Sequence, residues 1–286
     1  MFALNENNAS ILSMDIGRTM GDFGRVAEYT KGDGTDFIRG LALESGSRVL
    51  DVGCGHGFQS IDAAKAGGEV TGVDIDAASL EQARSAAARE SVNANFYKAD
   101  VQHLPFADAS FDAVVSFFGA MFAPRPDLVA AEMHRVCRRG GLIAMANWMP
   151  DGIIGQMFRL VSRYVRPVGY WPFEWGRAPF TRMCFGDAVE QIEFSGRAVT
   201  MTFPFPVPAV VDFWMTYCRL FACVFGQLGP GERMDLRLDL EWLWSDHNIS
   251  ADERTTVVDA ACLEMRAVRR KDHPVPNSFS LNRDSF

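Results

Sequence analysis

The residues with the clearest chemical promise lie in one stretch, Arg48-Val-Leu-Asp-Val-Gly-Cys-Gly-His-Gly-Phe-Gln-Ser60. A β-branched run enters alternating glycines and leaves into a helical pattern. At such a junction backbone N–H groups and the positive end of a helix dipole meet a ligand. Two cofactor classes use this geometry. The dinucleotide fingerprint G-x-G-x-x-G needs a third small residue where helix and strand pack closely. Here Gly53 and Gly55 are followed by Phe58 at that position, and the third glycine is Gly57. Charge is a second discriminator. A carboxylate at Asp51 about 5 Å from a pyrophosphate would cost roughly 3 kcal/mol per unit charge at an effective dielectric near 20. A ligand carrying a sulfonium and an α-ammonium reverses that sign, so S-adenosylmethionine suits Asp51 better than a nicotinamide dinucleotide does. Asp51 can also cap a helix or bond a turn, and the two roles are compatible. Asp74 ends the next β-branched run, at the distance downstream where a carboxylate takes both hydroxyls of a ribose. Asp76 reads as the cap of the following helix.

These side chains need a frame to hold them. Between Arg48 and about Trp148 short β-branched runs alternate with amphipathic ones, which predicts a parallel sheet with crossover helices. The expected strands are Arg48–Gly53, Glu69–Asp74, Asn95–Lys98, Phe111–Phe117 and Leu142–Asn147. Helices are expected over Gly57–Ala66, Ala78–Glu90 and Asp127–Arg138, the last begun by Pro126 and ended by Gly140-Gly141. Beyond Trp148 the alternation breaks down. Helices are predicted over Ile153–Val165, Phe213–Phe225 and Arg233–Trp244, with strands over Val199–Phe205 and Leu263–Val268. The first dozen residues and the tail from His273 are expected to be disordered.

Composition narrows the partners. A net charge of −8 over 286 residues argues against a sequence-independent grip on nucleic acid, which needs clustered cations. The expected partner is a small molecule, and homo-oligomerisation is left open. Six cysteines without a C-x-x-C pair suit reduced thiols, and no metal-ligand cluster stands out. The N-terminus lacks the positive start and apolar run of a secretory signal. The longest apolar run, Ala113 to Ala123, stops short of the roughly 18 residues of a membrane span. A cytoplasmic protein without a membrane span is expected.

Four segments in order resemble the class I S-adenosylmethionine-dependent methyltransferases, in particular the ubiquinone/menaquinone-biosynthesis type. They are Val49-Leu-Asp-Val-Gly-Cys-Gly-His-Gly57, Gly72-Val-Asp-Ile-Asp76, the run from Ala99 to Ser116, and Arg135-Val-Cys-Arg-Arg-Gly-Gly-Leu142. The resemblance implies an α/β fold: a doubly wound, mostly parallel, seven-stranded Rossmann-like sheet with an α-helical cap or insertion in the C-terminal half. It divides the chain into N-terminal gate helices (1–40), a cofactor-binding core (41–150), a part completing the sheet and forming a helical substrate cap (151–270), and a tail (271–286). It further implies that Gly53, Gly55 and Gly57 line the methionine moiety beside Asp51. By the same resemblance Asp74, with Ile75 next to it, takes the ribose hydroxyls. Asp100 accepts from the adenine amino group, Val101 offers backbone contacts, and Ser116 lies under the cofactor. An aromatic of the gate, Tyr29, is the further contact so implied.

Methyl transfer from a sulfonium is an in-line displacement. Positioning alone can supply roughly 7–11 kcal/mol, against about 10²–10⁴-fold for a general base. His56, His103, Asp22 and Tyr29 are the candidates for such a base, and none is assigned a catalytic role. Phe117, Phe118, Met121 and Phe122 follow the fourth strand, and later aromatics that include Tyr170 and Trp171 add to them. Such density suits a pocket for a hydrophobic or aromatic metabolite, and it equally suits the core of a helical cap. The expected activity is methyl transfer to O, N or C of a lipophilic or aromatic small molecule. The alternatives are a nicotinamide-dependent oxidoreductase and a cofactor-binding protein without catalysis.

Overall fold

A computed structural model describes residues 24–164 and 172–270. Asp22, Tyr170, Trp171 and both ends expected to be disordered lie outside the described residues. Seven strands form one sheet: β1 (Arg48–Val52), β2 (Glu69–Asp74), β3 (Ala94–Lys98), β4 (Phe111–Phe117), β5 (Cys137–Trp148), β6 (Val189–Phe203) and β7 (Thr256–Arg269), in the order β3-β2-β1-β4-β5-β7-β6. Strands β1 to β5 pair in parallel, and β7 runs antiparallel to both β5 and β6. Strand β1 lies between β2 and β4, so the chain winds outward in opposite directions from it. A doubly wound sheet opens its ligand crevice at the carboxyl ends of the strands at that switch point.

Period-two alternation buries both faces. Val49, Val115, Ala144 and Ala146 pack against Phe37 and Ile38 of helix α1 (Lys31–Gly40). On the other face Leu50, Val114, Ile143 and Met145 join Val129 and Met133 of the helix Pro126–Val136. Helices α2 (Phe58–Lys65) and α3 (Ala77–Arg89) close over β3 through Ile61, Leu80, Ala83 and Phe96. In chain order α4 is Pro126–Val136, α5 Ile153–Ser162, α6 Ala178–Phe185, α7 Val207–Tyr217, α8 Arg219–Gln227 and α9 Pro230–His247.

Three expectations need correction. Gly140-Gly141 does not end a helix: α4 stops at Val136 and β5 has begun at Cys137. Gly140 takes a left-handed φ of 69°, and a Cβ on Gly141 would come within 2.7 Å of the Asp112 carbonyl oxygen. The pair lets β5 pass close to β4 where their register shifts, and does not serve as a stop. The apolar run Phe213–Phe225 is not one helix. It turns 96° between α7 and α8, with Cys218 in an extended conformation. No Gly or Pro stands at the corner to mark a break in the apolar run. Strands β6 and β7 begin ten and seven residues earlier than expected, at Val189 and Thr256. Charged Glu190, Glu193, Asp259 and Glu264 masked those extensions.

Helices α7 and α9 pack Trp214 and Trp244 against Phe203 of β6, with Phe203 and Trp244 edge-to-face at 5.6 Å. No single helix among the described residues is long and apolar enough to cross a membrane. Helices α7 and α8 together would suffice in length and composition, but the bend breaks them.

Candidate functional site

All three glycines of the β1–α2 turn adopt positive φ, 71° at Gly53, 51° at Gly55 and 78° at Gly57, where a side chain is strained. Their surroundings differ. A Cβ on Gly53 would meet the Gly119 backbone at 2.9 Å, and one on Gly57 would meet Ala83 at 2.9 Å and Phe96 at 3.1 Å. These two glycines admit the neighbouring β4 turn and helix α3. At Gly55 nothing lies within 4 Å of that point. Of the three, Gly55 is where the backbone faces open space, three residues before α2 begins at Phe58.

The carboxylates divide by what they hold. Asp51 is 2% exposed, and Ser60 Oγ donates to its Oδ2 at 2.6 Å. Burial, with the nearby Asp74 charge adding to it, pushes the Asp51 carboxyl up to about 6. Asp74 spans two turns: Gly55 N–H donates to Oδ2 at 2.8 Å and Asp76 N–H to Oδ1 at 2.9 Å. Burial raises its pKa too. Asp76 caps α3, accepting from Ser79 N–H at 2.8 Å and Ser79 Oγ at 2.7 Å. Ile75, 36% exposed, offers an apolar face beside Asp74. Asp100 accepts from Gln102 N–H at 2.9 Å and from Gln102 Nε2, while Val101 leans on the core. Ser116 is fully engaged: its Oγ donates to the Val52 carbonyl at 2.7 Å and accepts from Ala120 N–H at 2.9 Å. It joins the ends of β1 and β4 under the crevice.

Sequence reading named His56 and Tyr29 but missed Gln59 and Arg135, which with them line and brace this crevice. The His56 ring lies where a Cβ on Gly24 would be, 1.8 Å from that point, and Gln59 Nε2 lies 2.0 Å from the same point on Gly34. The chain before β1 therefore lies against the glycine turn, and a larger residue at Gly24 or Gly34 would have to displace the His56 or Gln59 side chain. Tyr29 packs at a 32° tilt on Phe203, with ring centroids 4.3 Å apart, and meets Phe213 edge-on at 5.4 Å, so it ties that chain to β6 and α7. Burial raises its pKa. Arg135 braces the loop after Asp100: it donates to the Phe106 and Leu104 carbonyls at 2.7 and 2.9 Å and pairs with Glu132 and Asp108. His103 is exposed.

Past β4, Phe118 takes a left-handed φ of 60° and stacks on Trp148 at 3.7 Å and 7°. A bulky residue held there marks a constrained position. Phe122, Phe158 and Phe173 form an adjoining aromatic group. Among the described residues no group of three or more His, Cys, Asp or Glu is placed to hold a metal.

The open backbone at Gly55, the ionisable Asp51 behind it and the Asp74 and Ile75 edge together fit a nucleoside bearing a charged amino-acid arm. Comparison with known proteins agrees. The profile of the methyltransferase domain family matches residues 50–145. An uncharacterized protein of Mycobacterium tuberculosis is 36% identical over 187 residues, 64% of this chain and 68% of the relative. A malonyl-[acyl-carrier protein] O-methyltransferase of Pectobacterium atrosepticum is 31% identical over 161 residues, 56% of this chain and 62% of that protein. The crystal structure of the Bacillus subtilis YcgJ protein superposes with a TM-score of 0.59 at 16% identity, over 84% of this chain and 99% of that one. The chain belongs to the class I S-adenosylmethionine-dependent methyltransferases. Its cofactor is S-adenosylmethionine.

Proposed function

We propose that the protein transfers the methyl group of S-adenosylmethionine to a lipophilic or aromatic small molecule. The observation that carries the placement is Gly55, open to the crevice and flanked by Asp51 and Asp74. In this reading the open space at Gly55 admits the methionine carboxylate to the α2 N-terminus, and Asp51 takes the ammonium, with Gly53 and Gly57 shaping the turn. Asp74 and Ile75 hold the ribose and one adenine face. Asp100 and Val101 meet the adenine edge, Ser116 braces the floor, and Tyr29 links the cover to the cap. When bound, the cofactor supplies an electrophilic methyl group.

The chain's own contribution is positioning and dryness. The Phe118–Trp148 stack and the Phe122, Phe158 and Phe173 group present flat apolar walls to the acceptor, which supports an aromatic or lipophilic substrate. Holding acceptor and methyl group in line supplies roughly 7–11 kcal/mol without a proton acceptor. Oxygen is the favoured acceptor atom, because a relative bears the name of an O-methyltransferase. Calorimetric titration with S-adenosylhomocysteine and with NAD tests the placement. Micromolar binding of the first and none of the second is expected, and Gly55→Val should abolish it. The reverse preference would overturn the reading. Transfer of a labelled methyl group to hydroxylated aromatic compounds then tests the activity.

A further inference from the structure

At the carboxyl end of β5 two side chains leave their polar atoms buried without a hydrogen-bond partner. Asn147 is 1% exposed, and neither its Oδ1 nor its Nδ2 is bonded; the same holds for Nε1 of Trp175, which is fully buried. Strand alternation puts Asn147 on the face of Ile143 and Met145, the face that also packs Met121, Phe173 and Trp175. Trp175 precedes Gly176, and a Cβ on that glycine would stand 2.2 Å from the Trp148 carbonyl oxygen. The 172–176 segment therefore lies directly over the end of β5. The Phe118–Trp148 stack begins one residue beyond Asn147.

A buried amide with both ends unbonded opposes folding, because each group has given up water and received nothing. Leucine has the same branched outline and no such cost. A polar group kept in this position belongs to recognition: few, well-placed polar atoms in an apolar wall set the orientation of a ligand. We propose that Asn147 and Trp175 form the polar subsite for the methyl acceptor, and that the acceptor presents a carbonyl beside a hydroxyl. The inference rests on the methyltransferase reading and specifies its substrate class. The carbonyl oxygen accepts from Asn147 Nδ2 and Trp175 Nε1, its two lone pairs matching two donors. The hydroxyl donates to Asn147 Oδ1, which turns its oxygen lone pairs away from the amide and toward the crevice. Both residues act by positioning. Both are covered in this structure, so binding of an acceptor requires the 172–176 segment to part from the strand end.

The test combines stability with binding. Asn147→Leu should raise the Tm of the ligand-free protein by roughly 3–6 °C, as removal of two unsatisfied groups predicts. A fall in Tm would show that the amide is satisfied and structural, and would overturn the proposal. With S-adenosylhomocysteine bound, 3-hydroxycoumarin, whose hydroxyl stands on the carbon next to the carbonyl, should bind at least tenfold more tightly than coumarin, which lacks the hydroxyl. Asn147→Leu should erase that difference, and Trp175→Phe should weaken both compounds about fivefold. Equal binding of the two coumarins by the unmodified protein, or no binding of either, would overturn the subsite assignment. S-adenosylhomocysteine affinity should stay within twofold in both variants. Its loss from the unmodified protein would instead sink the cofactor reading, so the two failures are separable.

Discussion

Asp51 sets function against stability. Its carboxyl is held at about 6, above its ordinary value, so the folded state retains the proton more firmly than the unfolded chain does. The stabilisation from the protonated form is complete below about pH 4 and is lost as pH rises through 6, leaving a buried charge at neutral pH. Asp51→Asn should therefore stabilise the ligand-free protein by on the order of 2 kcal/mol at pH 7.5 and by much less at pH 4. Urea titrations at the two pH values measure this. The same substitution should weaken S-adenosylhomocysteine at least tenfold, because its ammonium loses the facing anion. In the unmodified protein that affinity should fall by about tenfold per unit as pH drops below 6. 5′-Methylthioadenosine, which lacks the ammonium, should show no such trend. A flat profile for both compounds would remove Asp51 from the cofactor contacts. Asp51, Gly55 and Asp74 could be singled out in the sequence because their types and spacing suggest the chemistry locally. Asn147 could not, since an asparagine in Ala-Asn-Trp declares nothing about whether its amide finds partners.

Two contacts between loops control whether the crevice keeps its shape. A Cβ at Gly119 would stand 2.2 Å from the Gly53 carbonyl oxygen, so the turns after β1 and β4 touch backbone to backbone. Gly119→Ala should cost roughly 2–4 kcal/mol in stability, an overpacking effect with no flexible side chain to yield. It should also reduce cofactor affinity, because the Gly53 turn must move. Arg135 makes the corresponding brace for the loop of Asp100. Arg135→Lys should lower S-adenosylhomocysteine affinity several-fold and increase proteolytic cleavage between residues 100 and 110. One ammonium cannot span the Leu104 and Phe106 carbonyls and two carboxylates as the guanidinium fork does. Unchanged cleavage would show that the loop holds its shape alone. Helix and strand types were readable here from periodicity, but the braces join residues about 30 and 65 positions apart, beyond any local pattern.

Across the molecule, the chain before β1 is fastened to the last two strands. Arg197 of β6 pairs with Asp33 of α1 at 3.5 Å and with Glu264 of β7 at 3.0 Å, and the Glu264 side chain is only 7% exposed. Removing the cation leaves Glu264 with Arg266 at 3.8 Å. Arg197→Met should destabilise by roughly 1–3 kcal/mol, and adding Glu264→Gln should recover most of the loss. Chemical denaturation of the single and double variants decides this. Additive losses would mean that the pair is not coupled.

The order of strands and crossover helices from Arg48 to Trp148 was written in the sequence, because each element there buries its apolar residues at its own period. So was the nature of the ligand, since the sign of Asp51 and the G-x-G-x-G spacing are local properties. The placement of β6 and β7, the corner at Cys218 and the division of labour among Gly53, Gly55 and Gly57 were decided only by the assembled structure. Each depends on what a residue meets from a distant part of the chain. Two glycines with the same backbone conformation part roles when one touches another strand and the other faces open space, and no local pattern carries that distinction.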